Sequence, residues 1–160
     1  MSRTLISNPL ADVDKQKTTG GMLQDPLVDL IGLGLVGKQA HWNVIGPRFR
    51  SVHLQLDELI ALAREHTDGV AERATSIGVS PDGRPATVGR DTGVPEFGAG
   101  WRTDDDVVTA VVEMLAALIA RFRHRVEETE ETDLVTQDLL IAITADLEKA
   151  HWMWQAQVAS

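Results

Sequence analysis

Five side chains able to hold a divalent cation, His41, His53, Asp57, Asp68 and Glu72, stand in the first half of this chain. The set offers imidazole and carboxylate donors. Cysteine is absent throughout, which excludes thiolate ligands, a thiol nucleophile and any disulfide. Four of the five fall in one helical stretch, so their directions follow from the helical period. His53, Asp57, Asp68 and Glu72 point to about 0°, 40°, 60° and 100° around the axis, a single face. Asp57 and Asp68 are nevertheless eleven residues apart, about 16 Å along the axis and too far to share an ion. Two copies of the helix packed antiparallel close that gap. A two-fold axis near Ala61–Ala63 sets the 53/57 end of one copy against the 68/72 end of the other and makes two identical sites per dimer. The small Ala61 and Ala63 would let the helices approach, and His41, at the end of the preceding helix, would join the 53/57 side. The plain alternative is a solvated polar helix face. Glu148 and His151 have the Glu-x-x-His spacing of a conventional di-iron bundle, but that bundle needs a second copy and this chain has one. They are read as coincidental.

The elements that must position these groups follow from apolar spacing. A first helix is predicted from Met22, with Leu23, Leu27, Leu30, Ile31 and Leu35 on its stripe, Pro26 in its first turn, and Gly46-Pro47 as its stop. A second runs from Phe49 to Ile77 on Val52, Leu56, Leu59, Ile60, Ala63, Val70 and Ala74, ended by Gly78. Residues 78–103, rich in glycine and proline, read as a long connection with room for one short helix. Thr103 followed by Asp104, Asp105 and Asp106 is an N-cap with acids in the first turn. The third helix then carries Val108, Val111, Leu115, Leu118 and Phe122. The fourth follows the acidic turn Glu127–Asp133 and carries Val135, Leu139, Ile143, Leu147 and Trp154. No alternating strand is evident. Four long helices with one long crossover between the second and third predict an all-α, ferritin-like four-helix bundle over residues 22–158, preceded by a flexible arm at 1–21.

The chain has 160 residues, enough for one domain, and 43% of them are hydrophobic, enough for a core. No apolar run reaches membrane-spanning length, and the first twenty residues lack a signal-peptide core. A cytoplasmic location is expected. Fifteen basic against 24 acidic residues give a net charge of −9, which attracts cations and repels nucleic acid.

The stretch Lys38-Gln39-Ala40-His41-Trp42-Asn43-Val44-Ile45-Gly46-Pro47, then Phe49, His53 and Asp57, then Asp68-Gly69-Val70-Ala71-Glu72-Arg73, resembles the Dps family, the mini-ferritins named as DNA-binding proteins from starved cells. So does Asp133-Leu134-Val135-Thr136-Gln137-Asp138-Leu139-Leu140, and the resemblance spans roughly residues 22–158. It implies a dodecameric hollow shell built from two-fold dimers. Ferroxidase centres at the dimer interfaces would each hold two iron ions (Fe2+/Fe3+) and no haem. His41, His53 and Asp57 would come from one subunit and Asp68 and Glu72 from its partner, the same division the helix geometry reaches. Hydrogen peroxide, with oxygen as the other candidate, would oxidise Fe(II), and the ferric product would be mineralised inside, protecting the cell from oxidative stress. Nitrogen and oxygen donors without sulfur suit that substrate. Trp42, beside His41, matches a family tryptophan near the centre and would be an auxiliary catalytic residue that supplies or traps an electron; an aromatic core anchor is its alternative role.

By the same resemblance Glu130, Glu131, Asp133 and Asp138, with Asp146 deeper along the helix, would line a three-fold pore that focuses Fe(II) inward. Acids complementing a helix N-terminus are the alternative. The net charge disfavours DNA, although many weak arms on one shell could still bind it together. Two other functions stay open: a nucleoid-compacting protein with secondary iron activity, and a di-iron oxidase of organic substrates using Glu148 and His151.

Overall fold

The structure, a computed structural model, describes residues 6–158. Its main elements are α1 (Val13–Asn43), β1 (Val44–Ile45), α2 (Phe49–Ser76), α3 (Pro85–Asp91), β2 (Arg102–Thr103), α4 (Asp104–Thr129) and α5 (Leu134–Gln155). Helices α1 and α2 form one tightly packed pair and α4 and α5 the other, with α1 also lying against α4. The two pairs close a four-helix bundle, and α3 lies in the long crossover between α2 and α4. Leu30, Leu56, Ile60, Leu115, Phe122, Leu140 and Trp154 meet in a core that none of them leaves by more than 1–2% of its surface. Each contributes roughly 1.5–3 kcal/mol by leaving water. Among the described residues no helix is long and apolar enough to cross a membrane.

The first helix begins at Val13 rather than Met22, so residues 13–21 are helical where an arm was expected; residues 1–5 lie outside the described part. Asp12 caps the start, its carboxylate accepting the N–H groups of Asp14 at 2.8 Å and Lys15 at 3.1 Å. Gly20 reads as linker in the sequence, yet it is a packing residue. A Cβ there would fall 2.7 Å from the Val79 side chain, so glycine lets α1 lie against the chain leaving α2. Gln16 secures the same junction by donating to the Ile77 carbonyl at 2.8 Å. Pro26 consequently sits inside the helix instead of in its first turn. The lost backbone bond costs about 3 kcal/mol, which burial of this helix on its neighbours must offset.

The crossover is anchored along its length, first by Gln24 of α1, which donates to the Asp82 carbonyl at 2.7 Å and accepts the Asp82 N–H at 3.1 Å. The Asp29 carboxylate, fully buried in α1, accepts the Gly93 N–H at 2.6 Å and Arg121 Nε at 2.6 Å. Burial pushes its pKa up, opposed by those two bonds. Near its other end, β1 and β2 pair in parallel, Val44 opposite Arg102 and Ile45 opposite Thr103. Two residues per strand are too few to show any alternation, which is why no strand is legible in the sequence.

Candidate metal centre

The corner joining α1 to α2 places His41 and His53 face to face. His41 lies in the last turn of α1 and is buried, and its ring stacks on that of His53 with centroids 3.6 Å apart and planes inclined by 22°. The two residues exchange hydrogen bonds. His41 Nδ1 lies 3.0 Å from the His53 carbonyl, and His53 Nδ1 lies 2.9 Å from the His41 carbonyl. A carbonyl only accepts, so each Nδ1 carries the proton and donates it. In the neutral rings each Nε2 is left with its lone pair, the form that ligates a metal. Phe49, its ring 5.0 Å from that of His53, adds an apolar wall.

Asp57 lies one turn beyond His53 on α2. One donor atom from each of His41, His53 and Asp57 lies within 4.8 Å of the others. The Lys38 ammonium donates to Asp57 Oδ1 at 2.6 Å, and His41 Nδ1 stands 3.4 Å from the same oxygen. The lysine hydrogen bond, helped by the nearby imidazoles, holds the Asp57 carboxyl below its ordinary value against a smaller desolvation effect. The carboxylate therefore remains an anion, paired with a tethered cation. Lys38 escaped the sequence reading although a signal was present, because it precedes His41 by three residues and so shares its helix face.

Asp68 and Glu72 do not join this cluster. Both are exposed further along α2, and the three-residue group is the only one of its kind among the described residues. The core stripe Val52, Leu56, Leu59, Ile60, Ala63, Val70 and Ala74 occupies the other side of the helix. Ala63 is fully buried there, so of the two alanines expected at a helix-to-helix approach only Ala61 is exposed. Asp68 borders an open groove with Leu30, Ile31, Gly34, Leu35, Arg64 and Thr67. Leu35 is 62% exposed in it, and Trp42, beside the site, is 66% exposed rather than a core anchor.

The acids assigned to a pore separate into two kinds. Glu130, Glu131 and Asp138 are exposed around the α4–α5 turn. Asp133 is buried and caps α5, accepting from the Thr136 N–H at 3.1 Å, the Thr136 hydroxyl at 2.5 Å and Arg73 at 2.5 Å. Burial alone would raise its pKa, but the Thr136 and Arg73 bonds outweigh it and hold the group below its ordinary value. Asp146 accepts from His66 Nε2 at 3.0 Å. Glu148 is taken up by Arg123 Nε at 2.5 Å and forms no cluster with His151.

Residues 22–160 match the ferritin-like domain family. The DNA protection during starvation protein of Mycolicibacterium smegmatis is 35% identical over 146 residues, 91% of this chain and 80% of that protein. Among solved structures, Mycobacterium smegmatis Dps superposes with a TM-score of 0.89 at 33% identity, covering 100% of this chain and 95% of the other. Dps from Microbacterium arborescens in its high iron form superposes with a TM-score of 0.90 at 29% identity, covering 97% and 99%.

Proposed function

Because the chain belongs to the ferritin-like family and within it to the Dps proteins, we propose that it is a ferroxidase and iron-storing mini-ferritin whose di-iron centres form between two subunits. One observation carries this reading. His41, His53 and Asp57 are assembled as half a site, while Asp68 and Glu72 lie stranded further along α2, Asp68 beside a mainly apolar groove. An antiparallel partner supplies the missing half through the same residues in exchange, and such dimers assemble into a dodecameric shell.

Iron is the substrate. The imidazoles and carboxylates bind two Fe(II) ions, and the anionic donors favour the Fe(III) product because its higher charge gains more from them. Each ion gives one electron, and the pair together reduces one hydrogen peroxide to the level of water. Pairing the electrons this way avoids hydroxyl radical. Glu130, Glu131 and Asp138 guide Fe(II) toward the interior, while Asp133 serves as the helix cap beside that path. Protection of DNA, which the relatives' name records, then needs no contact with DNA, in keeping with the net charge of −9.

The test is complementation between subunits. One parent carries His41→Ala with Asp57→Ala, the other Asp68→Ala with Glu72→Ala, and each homomer should lack rapid peroxide-dependent Fe(II) oxidation. In a mixed dimer both defects fall in one centre and leave the other intact. Dissociating, mixing and reassembling the parents should restore about a quarter of wild-type activity, since random pairing makes half the dimers mixed and each has one good site of two. No recovery, with mixed dimers shown by mass spectrometry, refutes the shared centre.

A further inference from the structure

Against the α1–α2 corner sits a buried carboxylate that belongs to neither helix. Asp104, the first residue of α4, is 3% exposed. Its Oδ2 accepts the Arg48 N–H at 2.5 Å and its Oδ1 accepts the Asp105 N–H at 2.9 Å. Arg48 is the N-cap of α2, but its side chain makes no capping bond, and the first turn of α2 contains no acid. Asp104 thus supplies from a distant part of the chain the negative charge that a helix N-terminus favours. The corner is shaped to receive it. Gly46 adopts a φ of +130°, and a Cβ there would lie 2.7 Å from the Asp104 carboxyl group. The β1–β2 pairing and the Arg48–Asp105 ion pair hold the same five residues, Val44 to Arg48, from the same side.

Those five residues lie within the only covalent path from His41 to His53. The two imidazoles are oriented by bonds to each other's carbonyls, 3.0 Å and 2.9 Å long. Any slip of the end of α1 against the start of α2 lengthens both bonds together and unstacks the rings. Accepting the ferroxidase reading above, we infer that Asp104 is a positioning residue for the metal centre: it fixes the register of the α1–α2 corner and through it the two histidine ligands, without touching the ion. Groups that orient metal ligands typically change affinity by about 10–100-fold when removed.

The test titrates cobalt(II) chloride into the purified, assembled protein and follows visible absorption and the dissociation constant per folded subunit. Asp104→Ala should bind cobalt about tenfold more weakly or worse, with an altered absorption envelope reporting a changed ligand geometry. Asp104→Asn keeps an acceptor oxygen for the Arg48 N–H and should recover most of the affinity and the native envelope. Gly46→Ala attacks the same contact from the other side and should reproduce the weakening, so the inference stays testable if Asp104→Ala does not fold. Wild-type affinity and spectrum in folded Asp104→Ala, or in folded Gly46→Ala, overturn it. So does an Asn variant no better than Ala. His41→Ala is the control that separates the two levels. Loss of cobalt binding in His41→Ala alone leaves the metal centre standing and removes only the role of Asp104. Unchanged binding in His41→Ala removes the centre itself.

Discussion

Lys38 is the cation paired with the carboxylate of the proposed centre. Its ammonium sits 2.6 Å from the Asp57 oxygen that an incoming ion would take. Replacing it with methionine keeps the length of the stem and removes the competitor. Lys38→Met should therefore bind cobalt(II) or zinc(II) on the order of tenfold more tightly at neutral pH, measured by calorimetry under anaerobic conditions. An unchanged or weaker affinity would mean that the lysine does not compete for that oxygen. The grouping of His41, His53 and Asp57 was readable from the sequence, because residue type and helical spacing decide which side chains share a face. Lys38 was harder to see. A lysine on a helix face is ordinarily a solvated one, and only the fold brings its head onto Asp57.

Among the elements, α5 shows most clearly how one residue serves the bundle. Asp133 caps its N-terminus and ties it to α2 through Arg73. Asp133→Ala removes a cap and leaves a largely buried guanidinium without its ion-pair partner, for an expected loss of about 1–3 kcal/mol by denaturant unfolding. The pH dependence has a definite sign. The folded pKa of Asp133 lies below its unfolded value of 3.8, so its contribution is present above that value and fades as pH falls through the depressed one. The variant should show a shallower decline of melting temperature below pH 4 than the wild type. A parallel decline would show that the pair carries no linkage. The long helices were legible because three- and four-residue apolar steps persist through each of them. The start of α1 was not. Thr18-Thr19-Gly20-Gly21 has the composition of a linker, and the helix it joins is held by contacts far along the chain, Gly20 against Val79 and Gln16 against Ile77.

At the scale of the whole molecule, the proposed two-fold contact falls on the α1–α2 face. Leu35 stands exposed in the groove that Asp68 borders, as a residue awaiting a partner's surface does. A glutamate there should block the two-fold contact without disturbing the core. Leu35→Glu is expected to sediment as a folded monomer, to lose rapid Fe(II) oxidation, and to keep weak cobalt binding at His41, His53 and Asp57. A Leu35→Glu monomer with full oxidation rate would place the whole reaction inside one chain. The separation of Asp68 and Glu72 from the other three groups was legible in the sequence, because eleven residues of helix cannot be folded back on themselves. The corner that holds the histidines was not, since Asp104 and Gly46 meet only through the crossover.

The Lys38–Asp57 pair has a bearing on selectivity among ions. A tethered ammonium is present at its carboxylate at an effective concentration that dissolved sodium or potassium cannot match. A monovalent ion that displaced it would exchange one positive charge for another and gain little from the imidazoles. Only an ion with a second charge and an affinity for nitrogen gains enough to evict the lysine. On the proposed reading, the centre would be guarded against the abundant salts of its surroundings by a cation of its own.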